Sequence, residues 1–174
     1  MVEDLLRSGR RRSLFIPGET SEKVDFGQDQ IKQILPHREP FLMVDRIEHI
    51  NLKEKSICGY RKIDKTDPVF LGHFPEEPVY PGVLLLESIG QMGACISFFV
   101  KNNRTHLLKE DQPRKLRLIK IKEVSFLDPV HPGDKVTLVS KLIEDSDYTS
   151  LSVCQGLCGD EVKILALFEV YWLE

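Results

Sequence analysis

Residues 72–91 read GHFPEEPVYPGVLLLESIGQ, and the change of character at Gly82 constrains the fold more than any other feature of the chain. Pro75, Pro78 and Pro81 each fix their own φ and push the preceding residue toward extended geometry. Residues 73–81 must therefore form a stiff, irregular loop. From Gly82 onward, Val83, Leu84, Leu85, Leu86, Ile89, Met92, Ala94, Ile96, Phe98 and Phe99 predict a helix that is apolar on nearly every side. Such a helix belongs inside a domain, not on its surface. Glu87 falls in its second turn, where an unpaired carboxylate is costly to desolvate, so it is expected to be paired or to face a cleft with its pKa raised. His73 stands in the loop, and the helix start at Gly82 offers backbone N–H groups that have no intrahelical acceptor. Either side chain alone reads as an ordinary structural group. Together, around a rigid loop that enters a buried helix, they point to catalysis, because perturbed acid–base pairs gather at functional sites.

The remaining pattern predicts a short helix over 29–35, strands over 41–50 and 56–63, and a polar excursion over 102–113 after the buried helix. Strands follow over 117–126, 135–144, 150–156 and 162–173, with turns at Pro129, at Pro132-Gly133 and over 158–160. Strands on both sides of one long apolar helix imply an α+β domain, an antiparallel β-sheet curled around a buried central helix. At 174 residues the chain can bury one good core and is too short for two ordinary domains. Residues 28–174 are expected to be that domain. Residues 1–27, with Arg7, Arg10, Arg11 and Arg12, read as a flexible or weakly docked arm, partner binding being its functional alternative.

Composition narrows the function classes. Hydrophobic residues at 41% and charged residues at 29% are those of a soluble globular protein. The most apolar run, 83–100, is interrupted by Glu87, Ser88 and Gln91, so no membrane span is expected. The N-terminus lacks the apolar core of a secretory signal, which predicts a cytoplasmic protein. A net charge of −3 gives no reason to expect nucleic-acid binding. Cys58, Cys95, Cys154 and Cys158 suit a reducing compartment, and without a CxxC pair or a histidine beside the last two, no metal site is expected.

Three motifs, in order, carry a family resemblance from about residue 31 to the C-terminus. They are ILPHREPFLMVD over 34–45, the GHFP-to-Gln91 segment, and SFLDPVHPGD over 125–134. In this the chain resembles the (3R)-hydroxyacyl-[acyl-carrier-protein] dehydratases of the FabZ type. The resemblance implies the hotdog fold, a homodimer that in relatives often assembles into a hexamer, and a substrate carried on acyl carrier protein. It also implies that His73 and Glu87 are catalytic, that the Gly82 N–H binds the thioester oxygen, and that Phe74 and Tyr80 contact substrate. A thioesterase, an enoyl-CoA hydratase, or a non-catalytic acyl-binding protein of the same fold are the alternatives.

The chemistry suits those residues. Dehydration requires a base for a weakly acidic proton beside the carbonyl, and histidine, with an ordinary pKa of about 6.5, is substantially neutral in the cell. It requires an acid for the departing hydroxide, and desolvation favours the protonated carboxyl. Enolate-like charge is stabilised by N–H groups at a helix start. No metal or organic cofactor is needed. Particular to this chain are Glu76-Glu77, which make the loop's rim acidic, and Tyr80, an aromatic positioned to gate a tunnel. An acidic rim is a poor docking surface for a strongly acidic carrier protein unless basic residues lie nearby, for which Arg114, Lys115, Arg117, Lys120 and Lys122 are candidates. His37 and Arg38 either shape the site or brace its loop.

Overall fold

The structure is a computed structural model that describes residues 2–173. Its elements are α1 (Val2–Gly9), β1 (Glu22–Gly27), α2 (Gln28–Ile31), β2 (Arg46–Asn51), β3 (Ser56–Lys62), a 3₁₀ turn (Pro68–Leu71), α3 (Gly82–Asn102), β4 (Leu116–Phe126), β5 (Lys135–Asp145), β6 (Thr149–Cys158) and β7 (Glu161–Trp172). The strands form one seven-stranded sheet in the order β1-β2-β3-β5-β6-β7-β4, every pairing antiparallel. This sheet wraps α3, which packs on β5, β6, β3 and β7. The expected α+β hotdog architecture is therefore present.

The core follows from the patterning. On β7, Ile164, Ala166 and Phe168 turn inward to the helix, while Leu165 and Leu167 turn outward. On α3, Ile89, Met92, Cys95, Ile96 and Phe99 are fully buried. By length and composition α3 is long and apolar enough to cross a bilayer, but here it is the core helix of the sheet. Its first turn departs from the expectation of burial on all sides. Val83 is 67% exposed, while Leu85 two residues on is buried.

Residues 2–27, expected as a flexible or weakly docked arm, make contacts with the sheet. Leu6 packs with Leu151, Val153, Leu165 and Leu167 on the outer sheet face, Phe15 is buried beside Val139 and Leu157, and β1 pairs with β2. The arginines sit between apolar residues that the outward side of the sheet needs covered, and burying those residues docks the segment. The expected strand over 41–50 is shorter, starting at Arg46, since Pro40 and the turn around it occupy the earlier residues.

Candidate active site

The proline-rich loop holds His73 at three points. Its N–H donates to the Val69 carbonyl at 3.1 Å, and its carbonyl accepts from the Val79 N–H at 3.2 Å. Its ring Nδ1 lies 2.8 Å from the Val79 carbonyl. A carbonyl only accepts, so Nδ1 carries the proton and Nε2 is left as the basic nitrogen. The loop is anchored upstream by Asp67, whose side chain accepts from the Val69 N–H at 2.9 Å, and downstream by the Tyr80 N–H on the Val130 carbonyl at 2.7 Å.

His73 lines a cleft of about 620 Å³ with Tyr80, Pro81, Gly82, Val83, Phe126, Val130 and Lys163. Gly82 opens α3 here, and its N–H belongs to the helical turn that lacks intrahelical acceptors. A side chain at 82 would not fit freely, because a Cβ would lie 2.7 Å from the Phe126 ring. Glycine thus lets the β4 aromatic close over the helix start. Lys163 forms part of the wall, its ammonium held by Asp128 and, at 2.8 Å, by Glu161, and the two carboxylates keep it charged. Phe74 stacks on His73 with ring centroids 4.2 Å apart, is 57% exposed, and is not among the residues lining this cleft. Tyr80 is almost wholly buried, its ring tilted against Phe70 and beneath the Arg61 guanidinium. Its hydroxyl is buried without a hydrogen-bond partner among the described residues, and desolvation pushes its pKa up.

Glu87 lines a second cleft, of about 250 Å³, with His37, Phe41, Gly90, Gln91, Ala94, Leu118 and Phe168. Gly90, one turn along α3, leaves room for the Phe168 ring, which a Cβ would meet at 3.1 Å. Within one chain, then, His73 and Glu87 stand in separate clefts. The Glu87 side chain is 30% exposed and faces this cleft, as expected for a carboxylate in so apolar a segment.

Gln91 fixes Glu87. Its amide nitrogen donates to Glu87 Oε1 at 2.9 Å and to the Phe41 carbonyl at 2.8 Å, and its oxygen accepts from the Met43 N–H at 2.7 Å. Residues 41–43 thereby lock to the helix face that carries the carboxylate. His37 Nε2 is 3.6 Å from Glu87 Oε1, so this histidine of the N-terminal motif shapes the site. Burial pushes the His37 imidazole below the ordinary histidine pKa, with Glu87 pulling it back up and Arg38 pushing it further down. Arg38 braces the loop, donating to the Leu35 and His37 carbonyls at 2.9 and 2.7 Å.

Comparison with known proteins finds relatives of this chain. A family model described as a FabA-like domain matches residues 35–164. The 3-hydroxyacyl-[acyl-carrier-protein] dehydratase FabZ of Sulfurovum sp. (strain NBC37-1) is 38% identical over 120 residues, covering 69% of this chain and 78% of the relative. The protein of that name from Chlamydia muridarum is 34% identical over 143 residues, covering 82% of this chain and 89% of its own length. Among solved structures, the dehydratase heterocomplex ApeI:P from Xenorhabdus doucetiae aligns with a TM-score of 0.65 at 14% identity, covering 83% of this chain and 91% of that one. At that identity the likeness is one of fold.

Proposed function

The chain belongs to the FabA-like domain family and, within it, to the FabZ-type dehydratases; from that premise we propose that it converts (3R)-3-hydroxyacyl-[acyl-carrier-protein] to the trans-2-enoyl thioester in fatty-acid biosynthesis. The observation that carries the reading is His73, held by Val79 in the tautomer that leaves Nε2 basic, in a cleft that Gly82 lines. Nε2 takes the proton from the carbon beside the thioester carbonyl. The electron pair moves toward the thioester oxygen, where the Gly82 N–H stabilises it. The enolate then collapses to the double bond as the 3-hydroxyl leaves with a proton from Glu87, so one water is released.

Glu87 reaches that point from a second copy of the chain. Two features support a homodimer. Among the described residues β4 is an edge strand paired only with β7, and Leu118 and Ile119 on it are 47% and 52% exposed. Val83 and Phe126, at the His73 cleft, are exposed at 67% and 56%. An unpaired edge with apolar side chains is a template for a second strand, and a two-fold contact lets each cleft draw residues from both chains. Four free thiols suit a reducing compartment such as the cytoplasm.

The test is purified protein with 3-hydroxybutyryl-carrier protein and with crotonyl-carrier protein, following the conjugated enoyl absorbance. Approach to one equilibrium mixture from both sides is expected. Release of free thiol without enoyl formation contradicts the reading and indicates a thioesterase.

A further inference from the structure

The surroundings of the His73 cleft are acidic where a carrier protein has to approach. Glu76 and Glu77 are exposed on the loop, and Asp128 and Glu161 flank the single ammonium of Lys163. Exposed positive charge stands elsewhere, on the segment after α1. Arg10, Arg11 and Arg12 are all exposed. The backbone that presents them is clamped by one buried side chain: Gln155 donates to the Gly9 carbonyl and, at 3.0 Å, to the Arg12 carbonyl, and accepts from the Leu14 N–H at 2.8 Å.

Arg10 anchors this stretch to β4, bonding Glu123 and, at 3.3 Å, Ser125. Arg11 and Arg12 meet no carboxylate at ion-pair distance among the described residues. On β4, Arg117 and Lys120 stand in register with Tyr171 and Glu169, which share the outer face with Leu167 and Leu165. These two cations are also without an ion pair among the described residues. They stand toward the Trp172 end of the sheet, whereas Arg11 and Arg12 line a pocket with Leu157 and Gly159 at the other end. Arg11 and Arg12 are themselves adjacent like charges that repel, and an acidic partner relieves that repulsion. The clamped segment lies before residue 35, outside the part of the chain that the family model matches.

We propose that Arg11 and Arg12 form the docking surface for the acidic acyl carrier protein. The proposal rests on the carrier-bound substrate inferred above. It moves the carrier's contact from the acidic rim onto the arginine segment. Complementary charge at such a contact acts on encounter rate and orientation, so it should show in KM and in salt dependence, leaving the chemical step alone.

The double variant Arg11→Glu/Arg12→Glu tests it. Arg10 is untouched, and the Gln155 bond at position 12 goes to backbone, so the clamp is retained. Turnover is measured with 3-hydroxybutyryl-carrier protein and with 3-hydroxybutyryl-pantetheine, the same thioester without the acidic protein. KM for the carrier substrate should rise about tenfold with kcat unchanged, while the pantetheine thioester reacts as before. The wild-type rise of carrier KM with salt should flatten in the variant. Arg11→Gln/Arg12→Gln should move KM the same way by less. An unchanged carrier KM in the glutamate variant, or an equal loss on both substrates, overturns the proposal. Calorimetric titration with holo-carrier protein separates it from the dehydratase reading. Binding lost in the variant, with no turnover of either substrate by wild type, keeps the docking surface and removes the activity. Wild-type turnover with unaltered carrier binding by the variant removes the surface alone.

Discussion

Gln91→Leu is the substitution whose consequence can be worked furthest. Leucine nearly conserves the volume of this 2%-exposed side chain, so the effect is in hydrogen bonds and not in a cavity. Three are lost: to the Met43 N–H, the Phe41 carbonyl and Glu87. The Met43 N–H belongs to a buried residue and is left without an acceptor, at a cost of about 1–3 kcal/mol. Phe41 is half exposed, its carbonyl can turn to water, and its loss is about 1 kcal/mol. The sum is about 2–4 kcal/mol, which in a domain of this size lowers Tm by roughly 5–15 °C. Glu87 also loses the donor that orients it, and if it is the proposed acid, misplacing it lowers kcat by about 10- to 100-fold. Thermal melts and enoyl-forming turnover on one preparation measure both effects. A variant that melts within about 2 °C of wild type and turns over normally refutes the argument that Gln91 ties residues 41–43 to the catalytic helix.

Other outcomes follow from the same geometry. His73→Ala and Glu87→Gln should each lower turnover by about 100- to 10,000-fold while the far-ultraviolet spectrum is retained; near-wild-type hydration of crotonyl-carrier protein by both variants contradicts the assignment. His37 gives a pH dependence. Its folded-state pKa is depressed, chiefly by burial, so the unfolded chain binds the proton first as pH falls. The stability it contributes is complete above the ordinary histidine value and is lost as pH drops through the folded value. His37→Asn should therefore show a shallower loss of unfolding free energy than wild type in urea titrations between about pH 7 and pH 5. Equal slopes contradict the burial argument.

What was legible in the sequence, and what was not, has physical causes. The loop-to-helix switch at Gly82 is local, set by three prolines and an apolar run, and it located His73, Gly82 and α3. The inward–outward alternation of β7 was equally local. Sheet order was not: nothing in the sequence of β4 says that it pairs with β7 and so becomes an edge. The role of His37 was hidden for a similar reason, since its meeting with Glu87 joins residues far apart in the chain. In the segment 2–27 the arginines dominate the charge pattern. Leu6 and Phe15, the signal that it docks, are too widely spaced to read as an element. Tyr80, expected as a gate, has its ring packed on Phe70, a contact set by the 3₁₀ turn, which local patterning did not disclose.

The central claim is a site built from two chains, because one chain holds His73 and Glu87 in separate clefts. Mixing inactive His73→Ala and Glu87→Gln proteins under conditions that exchange subunits tests it most directly. In each mixed dimer one site carries both lesions and the other carries neither. With random exchange about half of the dimers are mixed, so about a quarter of all sites should regain activity. If the two residues of the same chain form the site, every site keeps one lesion. No recovery, with exchange proven by mass-tagged subunits, contradicts the shared site.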